Sequence, residues 1–300
     1  MHRAFQEKVH VKGDYLSALR VEIHLDTTPS ACHNGVNQKI TGDLHMNVSQ
    51  IIFSPTGGTR QVTDTITKAW GIPVNEIDLT DAETDYAAVS LKKDDIVVIA
   101  VPSYGGRVPP LAAGRISKIC GNQAQCVIVC VYGNRAYEDT LIELNDIAEK
   151  SGFKVIAAVA AIAEHSIMHQ YAAGRPDAED KQELQNFAEK ILEKINSSAA
   201  ETSIPQIPGN HPYKKAGGAG LVPKADKKCT NCGLCAENCP AQAISKENLK
   251  VTDSKKCISC MRCVVKCPQS ARKVNGAMVS AAALAMKKAC STRKENELYI

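Results

Sequence analysis

The runs CTNCGLCAENCP at residues 229–240 and CISCMRCVVKCP at residues 257–268 repeat one pattern of cysteines. In each run the gaps between cysteines are two, two and three residues, and a proline follows the fourth cysteine. A Lys-Lys pair directly precedes both runs. A repeat this short predicts a small structural unit that is built twice.

The spacing predicts two 4Fe–4S clusters with crossed ligands. Three thiolates two residues apart can wrap one corner of a cubane, and the longer gap with its proline directs the fourth thiolate to the other cluster. One predicted ligand set is Cys229, Cys232, Cys235 and Cys267, and the other is Cys239, Cys257, Cys260 and Cys263. The alternative is structural zinc held by four cysteines, which two consecutive runs ending in proline disfavour. Residues 224–275 resemble a bacterial two-cluster ferredoxin, and the resemblance implies a small α+β domain.

Upstream of the cysteines, short apolar runs alternate with amphipathic segments. Five runs are predicted as strands, at Gln50–Phe53, Glu76–Leu79, Asp95–Val101, Cys126–Val131 and Lys154–Ala161. Apolar residues at helical spacing predict helices over 59–70, 137–150 and 178–195, and the weakest helix prediction lies between the second and third strands. Buried strands that alternate with helices predict an α/β fold with a doubly wound parallel sheet of five strands.

The first predicted strand leads into the loop Ser54-Pro-Thr-Gly-Gly-Thr59, directly before a predicted helix. Glycines let backbone N–H groups approach an anion, hydroxyls add donors, and the helix N-terminus contributes a partial positive charge. The candidate phosphate ligands are therefore Ser54, Thr56, Gly57, Gly58 and Thr59. The sequence of this loop lacks both the P-loop motif and the G-x-G-x-x-G dinucleotide motif.

This loop and the strand pattern resemble flavodoxins over residues 47–197. The resemblance implies bound FMN, with its phosphate in the first loop and its ring between the loops after the third and fourth strands. Those loops supply the candidates Ser103, Tyr104, Gly105, Tyr132, Gly133, Asn134 and Tyr137. Tyr104 and Tyr137 are the predicted stacking partners of the ring. Arg135 fits a position near the ring and a solvated loop equally well.

No catalytic constellation is evident, and no catalytic residue is assigned. His165 and His169 are four residues apart and follow Glu164, but no third metal ligand accompanies them, so a polar loop is the better interpretation. Cys126 and Cys130 lie on the same face of an apolar strand, and we expect them to be buried free thiols.

Composition divides the chain into five parts. We expect a disordered N-terminal extension at 1–45, the FMN-binding domain at 46–197, a Pro- and Gly-rich linker at 198–223, the ferredoxin domain at 224–275, and a C-terminal helix and tail at 276–300. No run approaches the roughly 18 apolar residues of a membrane helix, and the N-terminus has no apolar signal core. These features predict a cytoplasmic protein with no membrane span.

Charge is distributed unevenly along the chain. Residues 201–300 hold 17 Lys and Arg against 7 Asp and Glu, whereas residues 1–200 hold 19 against 25. The basic part has only Tyr213 and Tyr299 as aromatic residues, so we do not expect it to bind nucleic acid. Redox partner proteins with acidic surfaces are the expected partners, and the sequence leaves the oligomeric state open.

The chain as a whole resembles flavodoxin–ferredoxin fusion proteins of anaerobic microbes over residues 46–275. The resemblance implies a carrier that passes electrons between FMN, two 4Fe–4S clusters and external redox partners. The alternative is an enzyme, an FMN-dependent reductase that receives electrons for a small-molecule substrate through the clusters. Because no nicotinamide motif or catalytic acid is evident, the sequence favours the carrier.

Overall fold

The computed structural model describes residues 47–197, 205–217 and 220–300, and the predicted extension at 1–45 lies outside this range. Six strands form the main sheet: β1 (Val48–Ile52), β2 (Val74–Asp78), β3 (Ile96–Pro102), β4 (Gln125–Tyr132), β5 (Lys154–Ile162) and β8 (Glu297–Tyr299). Their order is β2-β1-β3-β4-β5-β8. The first five are parallel, and the order 2-1-3-4-5 is that of the flavodoxin-like doubly wound fold. The predicted parallel α/β sheet is therefore confirmed.

Helices cover both faces of this sheet. The helices α1 (Gly58–Ala69) and α4 (Ala178–Ile195) pack together on one face, while α2 (Pro110–Ile116) and α3 (Thr140–Lys150) lie on the other. Trp70 follows α1 and donates from Nε1 to the Ala188 carbonyl at 2.9 Å, so it joins α1 to α4. The chain between β2 and β3 forms only a 3-10 turn, and the Tyr86 hydroxyl in this turn lies 2.9 and 2.5 Å from the carbonyl oxygens of Asp78 and Asp81.

The sixth strand comes from the last residues of the sequence, which we predicted as part of a tail. β8 pairs antiparallel with β5, so that Tyr299 lies opposite Ala158. Asn296 precedes β8 and is buried, and its Oδ1 accepts from the Ile162 backbone N–H at 2.9 Å. Its Nδ2 donates to Asp180 and Glu183 of α4. The main sheet thus has one more strand than the five predicted.

The cysteine-rich segment forms a small unit that packs against the α/β sheet. It contains the short helices α5 (Leu234–Glu237) and α6 (Arg262–Val265), and the two-residue strands β6 (Lys224–Ala225) and β7 (Arg272–Lys273) pair antiparallel. Arg262 Nη2 lies 3.8 Å from Asp78 Oδ2 at the end of β2. The helix α7 (Gly276–Met286) follows, in agreement with the helix expected there. In the described ranges, no helix has the length and apolar character needed to cross a membrane.

The described part of the predicted linker, residues 205–217, is bound along α3 rather than free. Asp139, at the start of α3, accepts hydrogen bonds from the backbone N–H groups of Lys214 and Asn210, at 2.7 and 3.0 Å. The hydroxyl of Tyr213 donates to Asp146 on the same helix. Proline and glycine content predicted a partly extended and partly flexible linker, and the composition of a linker does not reveal acceptors elsewhere in the chain that can hold it.

Candidate functional site

A cavity of about 530 Å³ opens at the carboxyl ends of the parallel strands. Its walls come from the loops after β1, β3, β4 and β5, from the cysteine segment, from α7, and from Lys214, Lys215 and Gly217. The volume lies in the range of sites for small molecules and cofactors. The carboxyl ends of the strands are also where doubly wound folds bind ligands.

The first loop brings the N-terminus of α1 to one end of this cavity. Thr56, Gly58 and Thr59 line the wall, and Thr59 is buried. Gly57 adopts a φ of 98°, a left-handed conformation that glycine tolerates best, and it lets the chain turn directly into α1. The first N–H groups of a helix have no partners within the helix, so this turn can hold a phosphate. These residues fit the predicted FMN phosphate site.

Two of the predicted phosphate ligands have other positions. Ser54 does not line the cavity, and its Oγ accepts the Arg60 backbone N–H at 3.0 Å, which stabilises the first turn of α1. Gly57 shapes the loop but likewise lies outside the cavity wall. The structure thus groups three of the five candidates of this loop around the cavity.

Five of the seven candidates from the next two loops line the same cavity: Ser103, Tyr104, Gly105, Tyr132 and Gly133. The other two do not. Asn134 Nδ2 donates to the carbonyls of Cys290 and Thr292, and the Tyr137 hydroxyl donates to Glu297 at 2.6 Å. Both side chains hold the C-terminal segment, so the expectation that Tyr137 stacks on a flavin ring is corrected. Tyr104 remains the predicted stacking residue that adjoins the cavity.

The loop after β5 forms the remaining part of the cavity wall, and the sequence analysis did not assign this loop to the cofactor site. Residues 163–168 all line the wall. His165 Nδ1 accepts from the backbone N–H groups of Ile167 and Met168, both at 3.2 Å. Burial lowers the pKa of His165, so the ring is neutral at pH 7 and carries its proton on Nε2. His169 instead pairs with Glu164 on the exposed side of the loop, and the two histidines do not form a metal pair.

Positive charge gathers at the mouth of the cavity. Arg135 lines the wall and forms a bidentate pair with Glu138, with both distances 2.9 Å. Lys214 also contacts Glu138, and Lys215 lines the cavity beside it. The Arg135 hydrogen bonds lower the pKa of Glu138, with a further contribution from Lys214. Arg135, Lys214 and Lys215 outnumber the carboxylates Glu138 and Glu164 here, so this part of the cavity favours an anionic ligand.

The eight cysteines of the two runs fall into two groups. One cavity is lined by Cys229, Cys232, Cys235 and Cys267, and a second by Cys239, Cys257, Cys260 and Cys263. Each cavity therefore takes three cysteines from one run and the fourth from the other. Four thiols around one cavity are the donor set of a 4Fe–4S cluster, and this grouping matches the crossed ligand sets expected from the spacing.

The second cysteine cavity adjoins the large one. Ile258, between two cysteines of the second run, lines both cavities, and the neighbouring Ser259 also lines the large cavity. Burial, with a contribution from the Cys260 thiol, raises the pKa of Tyr104 well above its usual range, so its phenol stays protonated. A group in the large cavity and a group held by Cys239, Cys257, Cys260 and Cys263 would be neighbours.

Comparison with protein families identifies the cysteine segment. The family described as "4Fe-4S dicluster domain" matches residues 228–272. No curated protein matches the chain.

Among solved structures, the chain is similar to the two-electron reduced flavodoxin of Megasphaera elsdenii, with 19% identity and a TM-score of 0.35, over 48% of this chain and 98% of that one. A flavodoxin of Streptococcus pneumoniae gives 18% identity and a TM-score of 0.36, over 49% and 99%. A flavodoxin from the domain Archaea gives 13% and 0.38, over 51% and 100%. At these TM-scores the fold assignment rests on the strand order. The chain combines a flavodoxin-like α/β sheet with a 4Fe-4S dicluster domain at residues 228–272.

Proposed function

We propose that this chain carries electrons between an FMN in the large cavity and two 4Fe–4S clusters in the cysteine cavities, and onward to a redox partner. When bound, flavin exchanges electrons in pairs or singly and each cluster exchanges one, so the set links two-electron and one-electron reactions. The residues of the chain position these groups, set the charge around them and exclude solvent from them.

One observation carries the proposal: Ile258 and Ser259 of the second cysteine run form part of the wall of the large cavity. An isolated flavin site needs no cysteine loop in its wall. The shared Ile258 supports an order in which the flavin adjoins the cluster of Cys239, Cys257, Cys260 and Cys263. We call this the inner cluster. The cluster of Cys229, Cys232, Cys235 and Cys267 is then the outer cluster.

The exposure of its cysteine ligands supports the outer cluster as the site of contact with a partner. Cys232 is exposed, whereas Cys260 and Cys263 of the inner set are buried. Leu234 is 38% exposed beside Cys232, and the exposed Lys227 and Lys228 precede the first ligand of this set. An apolar residue at an exposed cluster, with cations nearby, suits an acidic redox protein, because opposite charges speed encounter.

Transient reduction tests the proposed order. Protein purified without oxygen should contain flavin, iron and sulfide, and photoreduction of the flavin should be followed by rapid bleaching of cluster absorbance. Cys260→Ala, aimed at the inner cluster, should abolish the rapid phase while flavin still binds. Cys232→Ala, aimed at the outer cluster, should keep the rapid phase but lose reduction of an acidic acceptor such as a bacterial ferredoxin.

The control variant is Cys120→Ala, which removes an exposed cysteine outside both sets. Rapid reduction of the outer cluster in Cys260→Ala would contradict the order. Turnover of NAD(P)H with quinones at the same rate in Cys260→Ala, Cys232→Ala and unaltered protein would indicate a reductase that does not use the clusters, and would overturn the proposal.

A further inference from the structure

Arg272 is a buried cation without a carboxylate partner. Its side chain is 2% exposed. Nη1 donates to Thr252 Oγ1 at 2.8 Å and to the Pro223 carbonyl at 3.5 Å, and Nη2 donates to the Leu249 carbonyl, so all three partners are neutral. Nε is buried and has no hydrogen-bond partner. Among the residues that the structure describes, no Asp or Glu forms an ion pair with Arg272.

The internal repeat indicates that the fold does not require a cation at this position. Arg272 is the fifth residue after Cys267, and the corresponding residue after Cys239 is Ile244. Ile244 is 5% exposed and packs with Cys235 and Cys263 in an apolar cluster. An apolar side chain therefore fills the equivalent place in the first half.

Arg272 lies beside both cysteine cavities. It lines the cavity of the outer set. Thr252 and Pro223, whose oxygens accept from Arg272 Nη1, line the cavity of the inner set. A buried charge is strongly unfavourable unless an opposite charge compensates it. No described Asp or Glu supplies that charge, whereas an anionic group held by the cysteines would.

A 4Fe–4S cluster with four thiolate ligands is anionic, and reduction adds one more negative charge. We propose that Arg272 raises the reduction potentials of both clusters, because its positive charge stabilises their reduced forms. Net charge and hydrogen bonds near a cluster are among the factors that set its potential. This inference rests on the proposed function, since it requires both clusters to be present.

Redox titration followed by paramagnetic resonance tests the inference. Arg272→Met removes the charge and keeps most of the volume. We expect the equilibrium constant for reduction of each cluster to fall at least about tenfold, which corresponds to about 59 mV for a one-electron couple. Arg272→Lys keeps the charge and should recover most of this change. The matched control is Lys273→Met, which removes the exposed neighbouring cation that pairs with Asp226 and should shift the potentials much less.

The potentials and the iron content of these variants decide whether the inference about Arg272 holds. Potentials in Arg272→Met equal to those of the unaltered protein, with both clusters present, would overturn the inference and leave the proposed function intact. If Arg272→Met binds no iron, the neutral variant Arg272→Gln takes its place in the titration, and potentials in that variant equal to those of the unaltered protein would likewise overturn the inference. If none of the Arg272 variants binds iron, the shape of arginine rather than its charge is required, and the inference fails. Absence of clusters from the unaltered protein would refute the proposed function itself.

Discussion

Arg115 on α2 donates from Nη2 to the carbonyl of Pro240 at 2.7 Å, and so ties the α/β sheet to the residue that follows a predicted cluster ligand. Its other terminal nitrogen, Nη1, donates to the Leu79 carbonyl at 2.6 Å. The guanidinium also lies over the ring of Tyr86, 5.6 Å from its centroid. One buried side chain thus holds the end of β2, helix α2 and the cysteine segment together.

Removal of this guanidinium should weaken the whole assembly. Arg115→Met leaves two buried carbonyls without donors, and we expect the free energy of unfolding to fall by about 1–3 kcal/mol for each unsatisfied group. Chemical denaturation measures the change. The control is Lys118→Met, an exposed position just after α2, which should have little effect. An equal loss in both variants would mean that the contact with Pro240 is unimportant.

Thr59 is expected to bind the FMN phosphate through its hydroxyl. Thr59→Ala should weaken FMN binding by about 1–3 kcal/mol, the scale of a hydrogen bond to a charged group. Flavin fluorescence on titration of the apoprotein measures this. Thr65→Ala removes a hydroxyl that donates to the Gln61 carbonyl on the solvent side of the same helix, so it should bind FMN normally. Unchanged affinity in Thr59→Ala would count against the phosphate assignment.

The crossed ligand sets predict which cluster each cysteine supports. Cys267→Ala should damage the cluster of Cys229, Cys232 and Cys235, and Cys239→Ala should damage the other one, because in each set the fourth thiol comes from the opposite run. Iron content and paramagnetic resonance of the reduced variants identify the surviving cluster. If each variant loses the cluster of its own run instead, the ligands are not crossed.

Asp180 should make stability depend on pH in the acid range. Burial alone would raise its pKa, but hydrogen bonds from Arg175 and from the Asp177 backbone N–H outweigh burial and lower it. A carboxylate with a depressed folded-state pKa contributes stability that is complete above its unfolded pKa of about 3.9 and is lost as pH falls through the lower folded value.

The variant Asp180→Asn tests the predicted direction of this dependence of stability on pH. The variant should be less stable than the unaltered protein at pH 7, because Arg175 is left buried and unpaired, and its stability should decline less steeply below about pH 4. Unfolding by denaturant over a pH series measures both effects. Glu189→Gln, at an exposed position of the same helix, serves as the control. A parallel decline in Asp180→Asn and unaltered protein would contradict the assignment.

Local pattern was enough to predict the parallel sheet, the glycine-rich turn before α1 and the grouping of the cysteines, since each depends on residues close together in the sequence. The errors share a different cause. Asn134 and Tyr137 were assigned to the cofactor, but their partners are Cys290, Thr292 and Glu297, more than 150 residues later. Strand β8 has only three residues, too few for alternation to reveal it. Contacts across such separations are decided by the packed structure.

The edge position of β8 has a consequence for how the protein is divided. The main sheet contains strands from both sides of the cysteine segment, so in three dimensions that segment is an insertion into the α/β unit rather than an appendage. Truncation of the chain after the cysteine segment would remove β8 from the edge of β5. It would also remove the Asn296 side chain that accepts from the Ile162 backbone N–H. We therefore expect the α/β sheet and the cysteine segment to unfold together, and truncation of the last residues to destabilise the carboxyl end of β5.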